Sequence, residues 1–134
     1  MKKELIRLSK IISHAGICSR REAEKKIKNG EIKINGYVYK DFTINKYELN
    51  QISINGKILK KQITRLWCFY KPIGYVSSTK EQLKQKSFFR LIPKKIPRVV
   101  SVGRLDINSE GLILLTNNPT LSSFLEKPNN KVER

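Results

Sequence analysis

An α+β fold is predicted, on three observations. Two short amphipathic helical stretches each stop at a glycine, two near-copies of one alternating strand run into Asn-Gly, and the second half repeats a strand, loop, strand pattern. In the first helical stretch, Leu8, Ile11, Ile12 and Ala15 follow the i, i+3, i+4, i+7 spacing of one face, and Gly16 ends it. The second begins at Ser19, whose S-x-x-E spacing to Glu22 is that of a capping box. Ala23 and Ile27 mark its buried face, and Gly30 supplies the stop. "IKINGYV" and "ISINGKI" follow as two hairpins, because Asn-Gly accepts the left-handed backbone that tight hairpin turns require. These pieces make one small two-helix, hairpin-rich unit. "KILKKQITR" is a polar bridge to the second half. There "LWCFYKPIGYVSS" reads as a buried strand that breaks at Lys71-Pro72 and Gly74, and "SFFRLIPKKIPR" as a short helical turn and a proline-bounded loop. "VVSVGRLDINSEGLILLTNN" closes as strand, loop and buried strand.

Composition narrows the function classes. The chain has 134 residues, room for one domain or two small ones, and 39% of them are hydrophobic. Its apolar runs fall far short of the roughly 20 residues of a membrane helix, and no apolar signal core follows the N-terminal lysines, so a soluble cytoplasmic protein is expected. Cys18 and Cys68 form no CxxC pair and, with the single His14, make no zinc pattern; all three are read as structural, the cysteines as free thiols. The net charge of +17, from 28 basic and 11 acidic residues, calls for a polyanionic partner. A lipid surface is the weaker choice, because residues 1–62 carry 15 basic and 6 acidic residues and residues 63–134 carry 13 and 5, with no basic cluster beside an apolar helix.

Arginine placement sharpens that reading. At 100° per residue Arg21, Lys25 and Lys28 form a stripe opposite Ala23 and Ile27, Arg7 and Lys10 lie on the flank of the first helix, and Arg20 stands in the first turn of the second. A helix N-terminus disfavours a cation, so Arg20 there points to a phosphate ligand. The order of helix, "SRREAEKKIKNG" and "IKING" resembles the RNA-binding domain named after the fourth small-subunit ribosomal protein, over roughly Leu5 to Ile58. The resemblance implies a two-helix platform for structured RNA. Arg7, Lys10, Arg20, Arg21 and Lys25 would be its phosphate contacts, with Lys28 extending the stripe and Asn35 and Gly36 as the turn of the same surface.

Tyr70-Lys71-Pro72 with Gly74, then Gly103-Arg104-Leu105-Asp106 and Glu110-Gly111-Leu112, resemble the ribosomal pseudouridine synthases. The branch most similar comprises small-subunit enzyme A and large-subunit enzymes B, E and F, which begin with the RNA-binding domain just described. The implied domains are residues 1–60 for RNA binding, 61–66 as linker and 67–134 as the first part of a mixed or antiparallel-sheet catalytic domain. The implied activity is isomerisation of a uridine in ribosomal RNA, with the large subunit favoured. Asp106 would be the essential carboxylate, Arg104 its basic supporting residue and Lys71 a support of the site's floor. Two residues apart on an extended segment, Arg104 and Asp106 are expected to meet, with Leu105 turned into the core. Breaking and remaking a base-to-ribose bond involves no redox step, so no cofactor or metal is expected. The implied partner is a structured rRNA hairpin or pre-ribosomal particle, bound by a monomer.

The chain departs from that family in three places. "NNPTL" replaces an Asp-Gly before a short helix, and Lys127 stands where a histidine is common. Relatives also continue beyond "KVER" into the rest of the sheet, so the chain is expected to be truncated within the catalytic domain, without the tyrosine that contacts uracil. An alternative therefore stays open: an RNA-binding module without catalytic activity.

Overall fold

The computed structural model describes residues 3–48, 51–81 and 83–133. Two compact units divide the chain, residues 1–62 and 63–134. In the first, the elements are β1 (Leu5–Arg7), α1 (Leu8–His14), α2 (Arg20–Lys28), β2 (Ile32–Ile34), β3 (Tyr37–Val38), β4 (Thr43–Asn45), β5 (Ile52–Ile54) and β6 (Lys57–Ile58). Ser19 caps α2 reciprocally: its hydroxyl accepts from the Glu22 N–H at 3.2 Å, and the Glu22 carboxylate accepts from the Ser19 N–H at 3.2 Å. Two of the donors that a helix start leaves unpaired are thereby satisfied, a contribution of about 1 kcal/mol. Gly16 takes φ +79°, and a Cβ there would run into the Gln62 amide, so the stop after α1 needs glycine for both conformation and space.

Both Asn-Gly turns have positive φ at each central residue, +52° and +86° at Asn35-Gly36 and +50° and +79° at Asn55-Gly56. That is the turn whose twist matches paired strands. The two hairpins join through β2 and β5 into an antiparallel sheet ordered β3-β2-β5-β6, with Ile32 opposite Ile54 and Ile34 opposite Ile52. Leu8, Ile12, Cys18, Ala23, Ile27, Ile32, Ile44, Ile52 and Ile54 form one buried core. The burial of α1 departs from the expected face: Leu8 and Ile12 are buried with Ser9 and Ser13, while Ile11 and Ala15 are only half-buried. The strand pair of β1 with β4 was not foreseen either; it places Ile6 opposite Ile44.

The second unit contains β7 (Leu66–Lys71), β8 (Tyr75–Val76), β9 (Lys86–Ser87), a 3-10 turn (Phe88–Leu91), β10 (Val100–Val102), β11 (Gly111–Thr116) and α3 (Pro119–Glu126). An antiparallel sheet runs β10-β11-β7, and β8 pairs parallel with β9. The runs "LWCFY" and "GLILL" were expected to be wholly buried, and half of each is not. In register, Phe69 opposes Ile113 and Trp67 opposes Leu115 on the face that packs against Phe88 and Val99. Leu66, Cys68, Tyr70 and Leu112 lie on the other face and are exposed. Strand side chains alternate, so a sheet whose described residues are covered on one side buries only every second one. Part of the polar bridge is also built into this unit. The Asn117 side chain accepts from Arg65 N–H at 2.9 Å and donates to the Ile63 carbonyl at 2.9 Å, and the Thr116 hydroxyl donates to the Arg65 carbonyl at 2.8 Å.

Candidate functional site

Register decides where the two motifs of the second unit meet. Gly111, the first residue of β11, pairs with Lys71, the last of β7. The irregular segment Gly103–Glu110 between β10 and β11 therefore returns beside "KPIG", although about thirty residues of sequence separate them. The Gly74 N–H donates to the Ile107 carbonyl at 2.8 Å across this junction.

Lys71 is fully buried. Its ammonium donates to three backbone carbonyls: Ser109 at 2.7 Å, Asp106 at 3.0 Å and Pro72 at 3.2 Å. Three carbonyl dipoles stand in for the water a buried charge loses, and they tie the Asp106 segment to the end of β7. The end of a strand that looked like a simple apolar run thus carries a charged tie.

Asp106 and Arg104 line a common cleft of about 530 Å³ with Ser77, Ser78, Lys80 and Asn108, a size suited to a small organic ligand. Both side chains are exposed. The expected contact between them is not made as an ion pair: among the described residues none joins Arg104 to Asp106, both of which are exposed on an irregular segment. Arg104 also lines an adjoining cleft of about 390 Å³ with Ser78, Thr79, Phe89, Ser101 and Glu126. Leu105 packs against the Phe88 core as expected. Ser77, Lys80 and Asn108 were missed in the sequence; the only trace of the first was the polar Ser77-Ser78 pair ending "GYVSS". Just outside the cleft, Glu110 raises the pKa of Tyr70, first by hydrogen bonding to its hydroxyl.

In the first unit Lys10, Arg20, Arg21, Lys25 and Lys28 are all exposed. Lys10 and Arg20 lie near enough to His14 to help lower its pKa, with burial the larger cause, so charge from α1 and α2 converges there. Arg7 differs from its expected place: it ends β1 and precedes α1 rather than lying on the helix flank, and its guanidinium is 3.7 Å from the Glu24 carboxylate. Lys28 sits over the Phe42 ring, 5.7 Å from its centroid. Asn35 serves the sheet, accepting from the Gln51 N–H at 3.3 Å, and the Gly36 turn is exposed. Among the described residues no three His, Cys, Asp or Glu side chains come together as a metal site.

Comparisons with known proteins agree with both halves. A sequence model of the S4 domain matches residues 6–41, and one of RNA pseudouridylate synthases matches residues 65–134. An uncharacterized RNA pseudouridine synthase of Rickettsia felis is 46% identical over 129 residues, covering 96% of this chain and 56% of the relative. The ribosomal large subunit pseudouridine synthase B of Bacillus subtilis is 35% identical over 131 residues, 96% of this chain and 52% of that protein. A crystal structure of a pseudouridylate synthase aligns with a TM-score of 0.49 at 26% identity, over 93% of this chain and 54% of that one. The chain spans about half the length of the curated relatives it matches. With the synthase model covering more than half of its residues, the chain belongs to the RNA pseudouridylate synthase family.

Proposed function

We propose that this chain supplies the RNA-holding unit and the aspartate-bearing part of an enzyme that isomerises a uridine in ribosomal RNA to pseudouridine. The observation that carries the reading is the cleft in which Asp106 and Arg104 stand exposed on a segment tied to Lys71. The reaction breaks the bond from base nitrogen to ribose, turns the uracil while it stays bound and rejoins it through carbon 5. A carboxylate serves it by attacking sugar or base, or by taking a proton from the ribose. Asp106 has that role, and Arg104, which lines the same cleft, attracts the phosphate beside the target. The base must also leave its stack, at a cost of a few kcal/mol, which phosphate contacts help to offset.

Residues 1–60 form the RNA-binding domain, 61–66 the linker and 67–134 the first part of the catalytic domain; the division into compact units at residue 62 falls inside that linker, whose later residues Ile63, Arg65 and Leu66 are built into the second unit. Arg20, Arg21, Lys25 and Lys28 on α2 and Lys10 on α1 contact phosphates, with Arg7 and the Asn35-Gly36 turn at the edge of the same surface. The S4 domain match supports RNA as the polyanion, and the name of the Bacillus subtilis relative favours the large ribosomal subunit. The cytoplasm, where ribosomes are made, is the corresponding compartment, and no described helix is long and apolar enough to cross a membrane.

The test uses these 134 residues continued by the C-terminal part of the Bacillus subtilis relative. Asp106→Asn keeps the side chain's size and removes its charge, so pseudouridine formation is abolished while RNA affinity stays within about twofold. Turnover by this variant, with deamidation excluded, refutes the catalytic role of Asp106. Binding of ribosomal RNA without pseudouridine formation by the unsubstituted chain favours the binding-module alternative.

A further inference from the structure

The Asp106 carboxylate makes no hydrogen bond or ion pair among the described residues, so only its backbone aims it. Both peptide groups that adjoin the Asp106 Cα are held. On the far side, the Asp106 carbonyl accepts from the Lys71 ammonium at 3.0 Å. On the near side, the Ser77 hydroxyl donates to the Leu105 carbonyl at 2.6 Å and accepts from the Leu105 N–H at 3.0 Å. One small side chain thus makes both backbone bonds that a neighbouring strand would supply, in a segment that pairs with none. Ser77 is 8% exposed, so water does not readily replace it. Two residues upstream the Gly103 N–H donates to the Glu126 carboxylate at 2.8 Å, which fixes the entry to the segment from α3.

We infer that Ser77 is a positioning residue for the reaction: by clamping the Leu105 peptide it sets the direction in which the Asp106 carboxylate enters the cleft. The inference rests on the catalytic reading of Asp106 given above. A carboxylate with two rotatable bonds has few other restraints here, and misplacement of a reacting group by about 1 Å costs on the order of a hundredfold in rate. Ser77 itself touches no reacting atom; its effect belongs in kcat rather than in RNA binding.

Two measurements test the clamp. In the 134-residue chain, amide hydrogen exchange at Leu105 is compared among the unsubstituted protein, Ser77→Ala and Ser77→Thr, with Ile113 and Leu115 of β11 as internal reports of folding. Ser77→Ala accelerates exchange at Leu105 by about tenfold while β11 is unchanged, and Ser77→Thr, which keeps the hydroxyl, restores protection. In the continued chain used for Asp106→Asn, Ser77→Ala lowers kcat by about tenfold to a hundredfold with KM within about twofold, and Ser77→Thr recovers most of it. Unchanged exchange at Leu105 in Ser77→Ala overturns the inference, as does faster exchange with unchanged kcat, or a Thr variant that restores protection but not turnover. If Asp106→Asn is active, the catalytic reading fails and the positioning role fails with it, whereas the exchange result alone then judges the clamp.

Discussion

Lys71 shows how much a single residue decides in the second unit. Its side chain is the donor for three carbonyls that have no other side-chain donor among the described residues, so Lys71→Met keeps the length and takes that donor from the Pro72 and Ser109 carbonyls, while the Asp106 carbonyl keeps the Ser109 N–H at 3.0 Å. The expected cost is about 2 kcal/mol, read as a lower urea midpoint by the fluorescence of Trp67, the chain's single tryptophan. An unchanged midpoint means that the three bonds contribute nothing net. His14 carries a pH effect in the first unit. Burial first, and then the charges of Lys10 and Arg20, lower its pKa from 6.5 in the folded state, so the unfolded chain holds more protons on this residue between the two values. Its contribution is fully present above pH 6.5 and is lost as the pH falls through the folded pKa. The first unit should therefore melt at a lower temperature at pH 5 than at pH 7.5, and His14→Gln should shrink that difference. Equal pH sensitivity with and without His14 would assign the effect to other groups.

At the scale of elements, the ends of α2 are set locally and its charge is not. The capping box fixes the start at Ser19, and Asn29 with Gly30, at φ +73°, closes the other end. Ser19→Ala should cost about 1 kcal/mol, seen as a lower melting temperature by helical circular dichroism. The exposed cations of this helix do little for folding, so Arg20→Ala with Arg21→Ala should leave that temperature nearly unchanged. The same pair should weaken binding to structured RNA and flatten its salt dependence, since log affinity falls by roughly 0.9 per neutralised phosphate on a duplex. A double variant with the original slope would remove both arginines from the interface.

Across the whole chain, two separate cores carry a net charge of +17. Like charges at this density repel within the folded state, and salt screens them. Raising ionic strength should therefore raise the melting temperature of the free protein while weakening its hold on RNA. Opposite salt effects on stability and binding are the signature of charge retained for a polyanion. A melting temperature that falls with salt would instead mean that the four ion pairs among the described residues outweigh the repulsion.

The sequence by itself determined the elements whose causes are local. The capping box of α2, the two Asn-Gly turns and the glycine stops depend on residues within a few positions of one another, and the strand pairs they enforce follow directly. The family motifs were equally legible, because "YKPIG" and "GRLD" are contiguous strings. Tertiary structure alone decided what those strings touch. The register that sets Gly111 against Lys71 spans some forty residues, and it brings the Lys71 ammonium to the Asp106 carbonyl and the Ser77 hydroxyl to Leu105. The two-residue spacing of Arg104 and Asp106 suggested a contact, but on their irregular segment no ion pair forms among the described residues. Alternation in β7 and β11 likewise left exposed half of two runs that hydrophobicity alone had buried, since composition counts apolar residues but only a packed face determines which of them leave water.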